Sequence, residues 1–206
     1  MKIITIKPQM IKGNVILTEK NADLGVFFVV GGAIGNDIKC VCNGFDYKKT
    51  YGKLFEIVSK IGGTVRFEQD GFRVGNSANM KGQTIECGDF SEYIPALAVL
   101  CAFCKGESRI KADYVSARDC LNGISAELSH LGARTELTSD GVLIHGSQTL
   151  RCDGTYVWKN PNLAMALIIA GSRCEGELRI MGTDEFNDNK FDEFMEIYNN
   201  LVKENE

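Results

Sequence analysis

Apolar positions recur along this chain at two different periods, and the two take turns. Three segments are apolar nearly all round: Leu24 to Val30, residues 94–103, and Leu163 to Ala170. A helix without a polar face must be covered on every side, so these predict three buried helices. Each is followed by a glycine stop and a short alternating strand, such as residues 177–181 with Leu178 and Ile180 on one face. Three further segments predict amphipathic helices. Leu54, Ile57, Val58 and Ile61 fall at i, i+3, i+4 and i+7; Leu121, Ile124, Ser125, Leu128 and Leu131 repeat the stripe. The third copy carries Phe191, Phe194, Ile197, Tyr198 and Leu201. After the first two come hairpin patterns: residues 64–67 and 72–74 around Asp70-Gly71, then 135–137 and 142–144 around Asp140-Gly141. Asp-Gly between alternating runs is a strong hairpin signal and places the turn on those two residues.

The pattern repeats. Gly62 returns as Gly132 and Gly71 as Gly141, each 70 positions on, while Gly35, Gly106 and Gly176 are spaced by 71 and 70. A fixed internal period of this kind usually decides the fold. The unit reads strand, helix, strand, helix, hairpin. The last copy stops after its amphipathic helix, and residues Ile3–Ile6 and 15–18 are expected to supply its hairpin. The resulting fold class is α+β: an inside-out, barrel-like domain of three repeats of about 70 residues, with apolar helices inside and sheets and amphipathic helices outside. No Pro-rich or Ser-rich linker interrupts residues 1–206, so one domain is expected.

Composition narrows the function classes. With 44% apolar residues the chain fills a core, and a net charge of -4 argues against a nucleic-acid groove. No run of eighteen apolar residues is present, so no membrane span is expected, and the start of the chain lacks a signal-peptide pattern. Eight cysteines invite a metal or disulfide reading. Cys101 and Cys104 fall inside the predicted helix 94–104, Cys40 and Cys42 in a strand, and no second Cys-x-x-Cys or His pair completes a tetrahedral site. Reduced core thiols, a cytoplasmic location, and no metal or cofactor are the expectation.

The stretch Ser116-Ala117-Arg118-Asp119-Cys120, with Ala126 to Ala133, Asp140 to Ile144, Leu163 to Leu167 and Phe191 to Phe194, resembles the carboxy-terminal part of the enolpyruvylshikimate-phosphate synthase family. The resemblance implies transfer of the enolpyruvyl group of phosphoenolpyruvate to shikimate 3-phosphate, in a cleft between two domains of three units each. It implies that this chain is similar to one such domain, with the amino-terminal partner domain absent. The partners it implies are phosphorylated small molecules, with a homodimer or a separate amino-terminal domain completing the cleft.

Carried over residue by residue, the resemblance places Glu92 at the family's catalytic carboxylate and Asp119 in its phosphate-binding motif, as catalytic candidates. Arg118, Lys190 and Asp89 are the substrate-binding candidates. Several cationic positions differ. Lys159-Asn160-Pro161-Asn162 stands where the family has an Arg, and Asn21-Ala22-Asp23 where it has Ser-Ser-Gln. A transition state bearing two phosphorylated anions needs fixed cations, and losing one donor costs roughly 10²–10³ in rate. Little independent transferase activity is therefore expected, leaving a non-catalytic module or a half-enzyme as alternatives. Local chemistry offers competing readings: Glu92 beside Ser91 as a helix cap, Asp119 as the cap of a helix over 120–131, Arg118 and Lys190 as solvated charges, and residues 88–91 as a turn.

Overall fold

Three buried helices, α1 (Gly25–Ala33), α3 (Ile94–Ala102) and α5 (Pro161–Gly171), pack against one another at the centre. The computed structural model describes residues 3–77, 79–146, 149–152, 154–158, 160–186 and 189–203. Every residue of α1 and α3 is buried, as their all-round apolar sequences require.

Around this centre stand three sheets among the described residues. In the first, β2 (Lys12–Thr18) and β3 (Asp37–Asn43) run parallel on either side of α1 in the sequence. The hairpin β4 (Thr64–Glu68) and β5 (Gly71–Gly75) follows the amphipathic α2 (Tyr47–Lys60) and completes the order β2-β3-β5-β4. The second sheet repeats that order as β6-β7-β9-β8, from β6 (Thr84–Glu86), β7 (Gly106–Lys111), β8 (Arg134–Thr138) and β9 (Gly141–Gly146). Its amphipathic helix is α4 (Tyr114–His130). The third sheet has the order β1-β11-β10, from β1 (Ile3–Ile6), β10 (Thr155–Val157) and β11 (Leu178–Met181), and α6 (Asn189–Lys203) follows it. The amphipathic helices bury their stripes: Tyr51, Leu54 and Val58 on α2, Phe191, Phe194 and Tyr198 on α6. Phe194 reaches Phe27 and Phe28 of α1 at ring-centroid distances of 5.8 and 5.4 Å, tying α6 to the centre.

Three expectations change. Only β1 joins the third sheet, antiparallel to β11; residues 15–18 belong to β2, whose whole length pairs with β3. β2 is the counterpart of β6 and β10, each of which runs parallel to the strand that follows a buried helix, so residues 15–18 are already paired with β3. The hairpin turns sit one residue earlier than the Asp-Gly pattern suggests. Glu68 pairs with Gly71 and Thr138 with Gly141, so the two-residue loops are Gln69-Asp70 and Ser139-Asp140. The glycines open β5 and β9, where a Cβ would overlap the Cys40 or Ile110 carbonyl oxygen of the neighbouring strand. Finally, Cys104 lies beyond α3, which ends at Ala102 with Phe103 as its C-cap.

Candidate functional site

The buried helices begin at one pole of the molecule. Short 3-10 turns, Ala22–Leu24 and Gly88–Tyr93, lead into α1 and α3, and Asn160 caps α5 by accepting the Leu163 N–H at 3.1 Å. These starts are neighbours. Asn162 at the start of α5 donates to the Glu92 carbonyl at 3.5 Å, and the Tyr93 phenol feels the carboxylates of both Glu92 and Asp23. Each helix start carries a partial positive charge that favours an anion, while the preceding turns already bond the Leu24, Gly25 and Ile94 N–H groups, and Pro95 and Pro161 have none to offer.

The side chains at this pole change that balance. On the α1 flank Asn21, 8% exposed, accepts from the Thr18 N–H at 2.8 Å and donates to Glu193 Oε1 of α6 at 2.7 Å. Beside it Lys190 of α6 is ion-paired with Asp23. The Tyr51 hydroxyl of α2 donates to the Ala22 carbonyl and anchors the same turn. On the α3 flank Lys53 of α2 donates to the Cys87 carbonyl at 3.2 Å and lies 4.9 Å over the Phe90 ring. Burial first, then the Glu92 carboxylate, pushes the Tyr93 phenol well above its ordinary value. Tyr93 thus stays a neutral donor between the two flanks. Burial likewise raises the Cys87 and Cys120 thiols to about 11, which makes them poor nucleophiles at neutral pH.

The sequence candidates divide between these flanks. Glu92 is exposed in the turn before α3, and Asp89 lies in the same turn with its side chain outside the described part. Glu92 does not cap the helix: the N-cap of α3 is Tyr93, with no side-chain cap bond. Asp119 and Arg118 are exposed on α4, which packs beside the turn Gly88–Tyr93. Asp119 is not a cap either, because α4 begins earlier, at Tyr114, where Asp113 accepts the Val115 N–H at 3.2 Å. Lys190 stands on the opposite flank with Asp23. Lys159 lies outside the described residues. Sequence reasoning missed Tyr93, Lys53 and Glu193. For Tyr93 a signal existed, an amphipathic ring directly before an apolar helix; for Lys53 and Glu193 none did.

Trp158 is 3% exposed and stacks on Tyr156 at 5.7 Å, so its ring is part of the packing ahead of α5. No helix among the described residues is long and apolar enough to cross a membrane.

A sequence profile of EPSP synthase (3-phosphoshikimate 1-carboxyvinyltransferase) matches residues 2–197. The chain is 32% identical over 162 residues to 3-phosphoshikimate 1-carboxyvinyltransferase of Methanococcus maripaludis, covering 77% of this chain and 38% of that protein. It is 29% identical over 177 residues to the enzyme of the same name from Clostridium novyi, covering 82% and 40%. Among solved structures, EPSP synthase from Acinetobacter baumannii superposes with a TM-score of 0.70 at 22% identity, over 86% of this chain and 45% of that one. The enolpyruvyl transferase NikO from Streptomyces tendae gives 0.72 at 19% identity, over 88% and 42%. At those identities the two structures speak for the fold. The chain spans about two-fifths of the length of the curated relatives it matches.

Proposed function

The chain belongs to the EPSP synthase family, and from that membership we propose that residues 1–206 form one enolpyruvyl-transferase-like domain without turnover of its own. The pole of helix starts is its ligand-facing surface, one wall of a site for phosphorylated metabolites such as shikimate 3-phosphate and phosphoenolpyruvate. A single observation carries the reading: the cation best placed at the start of α1, Lys190, is ion-paired with the chain's own Asp23. A carboxylate there competes with a phosphate for the same ammonium group. The start of α5 presents Asn160 and Asn162, hydrogen-bond donors and acceptors without charge. Glu92 and Asp119 are the residues proposed to face reacting groups, and Arg118, Lys190 and Asp89 to face substrate.

A half-enzyme completed by further polypeptide, in the same chain or another, is the second reading. The two-fifths share of its relatives' length favours it. Eight free cysteines agree with a reducing cytoplasm.

Calorimetric titration with shikimate 3-phosphate tests the surface and its quenching together. The unaltered chain is expected to bind only in the millimolar range or more weakly. Asp23→Ser removes the competing carboxylate and is expected to tighten binding by roughly tenfold, the scale of one charge-assisted contact. Micromolar binding by the unaltered chain, or no gain in D23S, refutes the quenching.

A further inference from the structure

Two of the three sheets end on a strand that the third lacks among the described residues. Outside β5 lies β4, and outside β9 lies β8. Strand β1 takes the place of β5 and β9 in the third sheet, antiparallel to β11, and is the outermost strand there. The amphipathic helices report the same gap independently. Helix α2 packs on β4 and α4 on β8, whereas α6 rests on α5 and β2. On α6, Met195, Ile197 and Val202 remain half-exposed beside the buried stripe.

Register specifies what fits. Phe72 of β5 pairs with Cys40 on one side and Phe67 on the other; Val142 of β9 pairs with Ile110 and Leu137. In the third sheet Ile4 pairs with Ile180 and Ile6 with Leu178, and no described strand pairs with β1 on its other side. We propose that this edge of β1 is a docking site for an extended polypeptide segment of about five residues, antiparallel to β1, with inward side chains opposite Ile6 and Ile4 and polar ones between them. The length and alternation are those of β4, Thr-Val-Arg-Phe-Glu, and β8, Arg-Thr-Glu-Leu-Thr, each of five residues. Main-chain hydrogen bonds supply the affinity of such strand addition, and the inward apolar residue, the counterpart of Phe67 and Leu137, gives the register. The site does not depend on what the helix-start pole binds.

The experiment supplies the strand. Thr-Val-Arg-Phe-Glu followed by an Asn-Gly turn is fused directly ahead of Ile3, so that the copied strand folds back onto β1. The thermal midpoint is expected to rise by about 5 °C, with slowed hydrogen exchange confined to β1 and α6. The same extension with Val and Phe both changed to Pro is expected to give neither. A free peptide of the β4 sequence, added at millimolar concentration to the unaltered chain, is expected to slow exchange in the same two elements, a readout independent of how the fusion folds. Absence of protection in both formats overturns the proposal, as does an equal rise with the proline control. Dimerisation of the unaltered chain through β1, abolished by the fusion, also overturns it, because the edge then belongs to a second copy.

Discussion

Gly71 and Gly141 show how a single position carries a constraint from outside its own turn. Each opens the second strand of a hairpin, and each lies against a backbone carbonyl of the third strand in, Cys40 or Ile110. A backbone atom cannot swing aside as a side-chain end can, so one methyl group must push two strands apart. Gly71→Ala and Gly141→Ala are each expected to destabilise the chain by at least about 2 kcal/mol, toward the upper range for overpacking. Urea unfolding midpoints check this; a loss under about 0.5 kcal/mol, typical of an open surface site, contradicts it. The sequence pointed to both glycines, but for turn chemistry, because the carbonyl that excludes a side chain belongs to a strand some thirty positions away. The site residues were harder to read for the same reason. The Asp23–Lys190 pair joins residues 167 positions apart, and the Asn21–Glu193 bond spans 172. The competing cap readings of Glu92 and Asp119 also fail. In α4 the carboxylate at Asp113 sits next to the unpaired N–H groups, and Asp119 lies a turn or more beyond them.

At the scale of elements, the helices were legible because burial writes them directly into the sequence: all-round apolarity for α1, α3 and α5, a stripe for α2, α4 and α6. Strand order was not, since periodicity says which face is covered and leaves the neighbour open. Charged side chains on the outer face of the first sheet tie its strands together. Lys39 of β3 reaches Glu68 of β4 at 2.9 Å and Asp70 of the hairpin loop at 2.8 Å, while Arg73 of β5 pairs with Asp37 and lies 3.6 Å from Glu68. The Lys39 ammonium, by hydrogen bonding, holds the Glu68 and Asp70 carboxyls below their ordinary values, and they raise Lys39 in return. A carboxyl lowered in the folded state stabilises fully above its unfolded value and loses that contribution as pH falls through the folded one. The network's contribution is therefore complete at neutral pH and fades below roughly pH 4; on the alkaline side it persists past pH 10, where free lysine titrates. Lys39→Met is expected to lower the thermal midpoint at pH 7, with the difference from the unaltered chain shrinking toward zero by about pH 2. A difference that stays constant from pH 7 to 2 contradicts the ion network as its source.

Across the whole molecule, architecture and charge tell separate stories. Three apolar helices bring their positive ends to one pole, the surface proposed to face phosphorylated ligands. Within that pole Lys190 is paired with Asp23, Asn21 with Glu193, and Lys53 with a backbone carbonyl and an aromatic ring. The repeat preserves what builds the domain, since core volume and glycine positions tolerate little change. Charges at an exposed pole bear no comparable packing constraint. The proposed domain keeps the family's fold without independent chemistry. The most direct test is release of inorganic phosphate from phosphoenolpyruvate and shikimate 3-phosphate by the chain alone, at high protein concentration. A rate indistinguishable from the protein-free blank is the predicted result; saturable phosphate release that disappears in Glu92→Gln would contradict it.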